Sequence, residues 1–298
     1  MVKHKQIIRT FAERSESPFM KRTALPFLLA ATLLAGCNRS ERQYRAIVET
    51  LDVSAPLELE NIVKAHDMIA DASGLDSEQT EHLQELFFRY MIACADVQTS
   101  LMEEAYGAAL NTPDAEAADR QIDSLAAVMD DMRRYGLLMY ASEGGIETEI
   151  MPMYMAEAFW RYLTPSERAL AELSELEVEA PSLNDASVAV ELDEIAHRLK
   201  RCDDMLAAYP DDQLTPKFVE CQKYYLAILL AGADNSPVFD WKTGHLLPEI
   251  EQIAEAYIEA YPDAASTPLL REFLEIAAQS DYKKSPALQQ FVSKKVLN

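Results

Sequence analysis

Residues 208–216 read AYPDDQLTP, and residues 260–268 read AYPDAASTP. The offset is 52, and the same register sets Leu206 against Ile258, Glu220 against Glu272 and Leu226 against Ala278. Proline cannot continue a helix, so each copy ends one at Tyr-Pro-Asp. A Thr-Pro pair is a favourable start, because proline at the first helical position gives up an N–H that has no partner there anyway. Each copy is therefore expected to be two helices joined by a tight turn. Repeated, that unit makes the chain all-α.

Composition agrees. Glycine occurs 8 times in 298 residues, well below the usual share of roughly 7 %, while Ala, Glu, Leu and Met are plentiful. No alternating run with hairpin signals stands out, so no strand is expected. Upstream of the repeat, helices are expected over 40–53 and 56–72, the latter with Leu59, Ile62, Val63, His66 and Ile69 or Ala70 along one face. Asp76 or Ser77 is placed to cap a helix reaching about Leu110. Its stripe, Leu83, Phe87, Tyr90, Cys94, Val97 and Leu101, recurs every three or four residues. A partner helix is expected to open at Thr112-Pro113 and to carry Ile122, Leu125, Met129, Met132 and Met139, with Gly136 in an intervening slot. Together they predict an antiparallel helical hairpin. A break at Gly144-Gly145 is expected to precede another helix over 146–163. Thr164-Pro165-Ser166-Glu167 is a capping box that starts a helix running through 168–176. Pro181, Ser182, Asn184, Asp185 and Ser187 mark 177–190 as a linker. The expected organisation is a helical bundle over 40–176, then a repeat-like helical region over 191–298 closed by an amphipathic segment over 286–297.

The paired Tyr-Pro-Asp and Thr-Pro units resemble tetratricopeptide-type helical hairpins, in particular the degenerate units common in bacterial envelope lipoproteins. The resemblance covers roughly 191–280. The 52-residue offset exceeds the family's usual period of about 34. It implies a non-enzymatic scaffold whose stacked helices present a surface to another protein.

The N-terminal stretch points to the same compartment. Lys21-Arg22 leads into an apolar run from Ala24 to Leu34, too short for a permanent span of about 20 residues but suited to a signal-peptide core. Leu34-Ala35-Gly36-Cys37 resembles the lipobox of bacterial lipoproteins. That resemblance implies removal of residues 1–36 by cleavage between Gly36 and Cys37, with lipid on the Cys37 sulfur and acylation of the new amino terminus. Residues 37–39 then form the lipidated end. Translation is expected to begin at Met20; a start at Met1 would give a long basic leader. Asn38, rather than Asp, implies outer-membrane sorting by the enteric rule.

The leader holds six basic residues, Lys3, Lys5, Arg9, Arg14, Lys21 and Arg22, against Glu13 and Glu16. Its removal takes the formal net charge from −23 to −27. Such a surface repels phosphate backbones, so nucleic acid is not an expected partner. The expected contacts are the membrane, through the N-terminal lipid, and a partner protein.

Chemistry-bearing motifs are few. Cys202 and Cys221 lie equally far on either side of the turn at Asp211-Asp212, which puts them level across a helical hairpin and predicts a disulfide in an oxidising compartment. A buried pair of free thiols is the alternative. Cys94 reads as core. There is no Cys-x-x-Cys, no Gly-x-Ser-x-Gly and no phosphate-cradling glycine loop. Met139, Met151, Met153 and Met155 point to different faces and read as core rather than a copper site. Asp193 and Glu194 near His197 read as a surface ion pair. No catalytic residue, metal ligand or cofactor site is expected. Two other readings stay open: a module that captures a small ligand or cation between helices, and an enzyme with an unrecognised carboxylate pair.

Overall fold

The computed structural model describes residues 30–142 and 145–297, with side chains from Arg39 onward. Residues 1–29, and with them most of the expected leader, lie outside the described residues. Eleven α-helices dominate the described chain, which also holds three two-stranded antiparallel hairpins. The fold is all-α in character, as composition and repeat require. It divides into two compact units, Met1–Leu163 and Thr164–Asn298.

The first unit begins with α1 (Ala30–Thr50), α2 (Leu59–Asp71), α3 (Ser77–Leu110) and α4 (Ala115–Asp131). In α2 the buried side chains are Ile62, Ala65 and Ile69, one face of a 3.6-residue period. Helix α3 starts where expected: Asp76 accepts a hydrogen bond from the Gln79 N–H, and the Gln79 side chain reaches back to the Asp76 N–H. The Tyr90 hydroxyl, buried on α3, accepts from the Glu58 N–H at 3.0 Å and donates to the Glu58 carbonyl at 3.2 Å, fixing the start of α2. The last turn of α2 has orphan carbonyls. Arg161 and Tyr162 donate to that of Ala72 at 2.9 and 2.8 Å.

Between α4 and Leu163 the structure departs from expectation. Helix α4 is capped by Asp114, not Thr112, and ends in a short 3-10 turn, Met132–Tyr135. Gly136 then adopts φ +70° and ψ 25°, a left-handed conformation that only glycine takes without strain, and the chain leaves the helix. Strand β1 (Leu137–Ser142) pairs with β2 (Gly145–Ile150), Leu137 opposite Ile150 and Ser142 opposite Gly145. Met139 is therefore a strand residue, and the helix expected over 146–163 shrinks to α5 (Pro152–Ala158). Ile146, Thr148 and Ile150 alternate with Glu147 and Glu149, a strand pattern of period two. Strand β2 packs against α3, where the Thr99 and Thr148 hydroxyls meet at 2.6 Å.

The second unit opens with α6 (Pro165–Glu179), capped as expected: Thr164 accepts from the Glu167 N–H, and Glu167 accepts from the Thr164 N–H at 2.7 Å. The stretch 177–190 is more than a linker. It carries the end of α6 and a small hairpin, Leu183–Asn184 with Ser187–Val188, and it buries Glu177, Val178 and Ser182. Helices α7 (Leu192–Ala208), α8 (Thr215–Ala231), α9 (Pro248–Ala260) and α10 (Thr267–Gln279) are the two repeat copies.

Their turns are built alike. Tyr209 and Tyr261 end α7 and α9 at φ/ψ of −130°/55° and −131°/61°. The Thr215 hydroxyl donates to the Tyr209 carbonyl at 2.8 Å, and the Thr267 hydroxyl to the Tyr261 carbonyl at 2.6 Å. The sequence motif thus encodes its own turn: proline stops one helix, and threonine ties the next to the stopped end. Residues 232–247 account for the long offset. They form a second small hairpin, Gly232–Ala233 with Ser236–Pro237, and a bridge between Phe239 and Leu246. Helix α11 (Pro286–Phe291) and the turn Val292–Val296 close the core with Leu288, Phe291 and Val296.

Candidate functional site

The stripe on α3 changes character partway along. Leu83, Phe87, Tyr90 and Cys94 are buried in the first unit, but Val97 and Leu101 are 45 and 50 % exposed. At 1.5 Å per residue α3 is about 50 Å long, and its second half is accompanied by α4, in which only Met129 is buried. Val97 and Leu101 line a shallow, open concavity of about 370 Å³ together with Asp96, Ser100 and Glu104. Leu110 and Val128 are also exposed on this helical pair. The result is an apolar strip flanked by carboxylates and a hydroxyl, chemistry suited to an interface: apolar area to remove from water, with charges beside it to set orientation.

The other sequence-derived candidates fall as follows. Gly36 and Cys37 lie on the backbone of α1, and their side chains are outside those described. Cys94 is buried, and burial pushes its thiol up to about 11, as a core cysteine requires. Cys202 and Cys221 are buried on α7 and α8 and stand unbridged in the structure. Met139 and Met155 are buried. His197 stands exposed, while Glu194 turns to Arg198, whose Nε donates to it at 2.7 Å. Among the described residues no group of three or more His, Cys, Asp or Glu is arranged to hold a metal ion, and no helix is long and apolar enough to cross a membrane.

Sequence reading missed two buried polar networks in the second unit. In the first, Glu177 accepts from Arg198 Nη1 at 2.6 Å, from the Ser182 hydroxyl at 2.5 Å, from the Ser182 N–H at 3.1 Å and from the Tyr225 hydroxyl at 2.8 Å. Arg198, 1 % exposed, also donates to the Ala180 carbonyl at 2.8 Å. Burial alone would lower its proton affinity, but hydrogen bonds to Glu194 and Glu177 outweigh that and raise it above the ordinary value. In the second network Asp203 accepts from Gln222 at 2.6 Å, Tyr257 at 2.7 Å, and the Ser266 N–H and hydroxyl at 2.9 and 2.8 Å. These carboxylates spend their lone pairs on protein donors, so each serves to tie helices: Asp203 joins α7 to α8, α9 and the start of α10. One signal was legible. Arg198 falls between Ile195, Leu199 and Cys202 on the apolar face of α7, four residues after Glu194, a charge at a core position with its partner one turn back.

The chain was compared with family models, curated proteins and solved structures, and no match was found in any of the three. Fold and site together define an all-α protein of two helical units, with an apolar, acid-flanked strip on the first.

Proposed function

We propose that this is a non-enzymatic lipoprotein of the cell envelope, outer membrane rather than inner, held by acyl chains on Cys37 and binding another protein through its helical surfaces. The carrying observation is the exposed strip of Val97 and Leu101 between Asp96, Ser100 and Glu104. About half of each of these two neighbouring apolar side chains faces water, and burial of that part by a partner would be favourable at about 25 cal/mol per Å². The paired hairpins of α7 to α10, with their matching turns, support the tetratricopeptide-like reading of the second unit, in which stacked hairpins make an extended surface. Cys37 lies within helix α1 (Ala30–Thr50), so after the proposed cleavage a lipid there would attach at the first residue of a helix instead of a loose tether.

Two outcomes test this. Changing Val97 and Leu101 together to Glu is expected to leave the melting temperature within about 2 °C, since exposed positions tolerate substitution. The same change should abolish recovery of a stoichiometric protein by affinity capture from detergent-solubilised envelopes. Equal recovery by both forms would refute the strip as the contact. Cys37→Ala is expected to move the protein from the membrane to the soluble fraction and to remove acyl mass from its N-terminal peptide. An unmodified Cys37 in the unsubstituted protein would refute the anchor.

A further inference from the structure

We infer that Cys202 and Cys221 are joined in the mature protein by a disulfide that closes while the α7–α8 hairpin is forming and is sealed once the hairpin is buried. Three observations meet at this pair. Cys202 lies six residues before the end of α7 at Ala208, and Cys221 six residues after the start of α8 at Thr215, so the antiparallel helices bring the two to one level. Both side chains are buried in the core of the hairpin, 0 and 6 % exposed. Asp203, next in sequence to Cys202, is hydrogen-bonded to Gln222, Tyr257 and Ser266 and so holds that stretch of α7 against α8 and α9.

That surrounding decides when the bond can form. Exchange needs a thiolate that a soluble disulfide can reach. In the folded unit, burial first, then contact with Cys221 and the charges of Asp203 and Glu177, all hold Cys202 in its neutral form. The folded thiols are therefore inert, and a closed bond there is equally shielded from reductants. The open hairpin has no such protection. With glutathione disulfide, or the disulfide of an envelope thiol oxidase, as oxidant, one protein thiolate attacks a sulfur of the oxidant. A mixed disulfide forms and one thiolate leaves. The second cysteine thiolate then attacks the protein sulfur of that mixed disulfide, forming the Cys202 to Cys221 bond and expelling the second thiolate. Two protein thiols are oxidised, one oxidant disulfide is reduced, and the two protons pass to the two leaving thiolates.

Occurrence in the cell rests on the export reading above, but the pairing itself does not. The full chain carrying Cys37→Ala is unfolded, reduced, and refolded in a mixture of glutathione and glutathione disulfide. Free thiols are expected to fall from three to one, with unreduced peptide mapping joining Cys202 to Cys221 and leaving Cys94 free. The refolded protein should keep the bond in dithiothreitol until urea is added. It should melt roughly 5–10 °C above the same protein with Cys202→Ser, as closing a loop of about 20 residues implies. Three free thiols after refolding, or a bond involving Cys94, would overturn the inference. Free thiols in protein recovered from the envelope fraction would likewise overturn it, whereas free thiols in protein recovered from the cytosol, with the bond forming on refolding, would overturn the export reading instead.

Discussion

Arg198→Ala is expected to destabilise the second unit by about 3–5 kcal/mol, the usual cost of leaving one partner of a buried ion pair without the other. The substitution takes the guanidinium out of the buried network in which Glu177 also accepts from Ser182 and Tyr225. It also strands the Ala180 carbonyl and opens a hole where a fully buried side chain stood. The pair itself contributes little net stability, because both charges lose hydration in reaching it. Replacing both together, R198M with E177L, should therefore cost clearly less than the sum of R198M and E177L made separately. Urea unfolding followed by circular dichroism measures all four forms. Additive costs would show that the two side chains act independently and that the ion pair is incidental.

Gly136→Ala is expected to destabilise the first unit by about 3 kcal/mol, from two sources that a cavity or a surface change does not combine. A left-handed backbone costs a non-glycine residue roughly 1–2 kcal/mol. The added methyl would also sit 2.4 Å from Tyr154 Cδ1 and 2.9 Å from Met91 Cε. Overpacking of that kind costs typically 1–3 kcal/mol. Tyr154 has little room to yield, since its ring lies against His66 at 4.5 Å and Phe87 at 6.4 Å between centroids. A companion change on α3, Gly107→Ala, meets no atom within 4 Å and should be neutral or slightly stabilising. Thermal melts of the two variants are the check. Equal melting temperatures would mean that Gly136 is replaceable and that the turn into β1 is set by other residues.

Most of the helical plan was legible because its signals are local. The Asp76 and Thr164 caps, the start of α8 and α10 at Thr-Pro, and the Tyr-Pro-Asp stops each act within one turn of chain, and each stands where the residues put it. The hairpin of β1 and β2 was not read, because its apolar residues also fit a helical stripe: Met139 is seven residues after Met132, a spacing shared by two helical turns. What separates the two is the left-handed Gly136 and the period-two run Ile146, Thr148, Ile150. Only the surface of α3 beneath them makes that alternation worth having. Likewise the motif of 177–190 is that of a loop, yet the segment folds inward because Glu177 and Ser182 find Arg198 there.

The candidate strip shows the same division from the other side. Leu83, Phe87, Tyr90, Cys94, Val97 and Leu101 form one uninterrupted pattern, and periodicity says that this face is apolar, not what lies against it. By itself, then, the sequence determined an all-α chain, the starts and stops of the helices outside 112–163, the twinned turns and the level placement of Cys202 and Cys221, since all of these follow from backbone preferences and spacing within a few turns. The tertiary structure alone decided which part of the α3 stripe is core and which faces water, and which buried charges answer one another across α6 to α10. Those outcomes depend on residues 19 to 63 positions apart meeting in space, and no local preference encodes such a meeting.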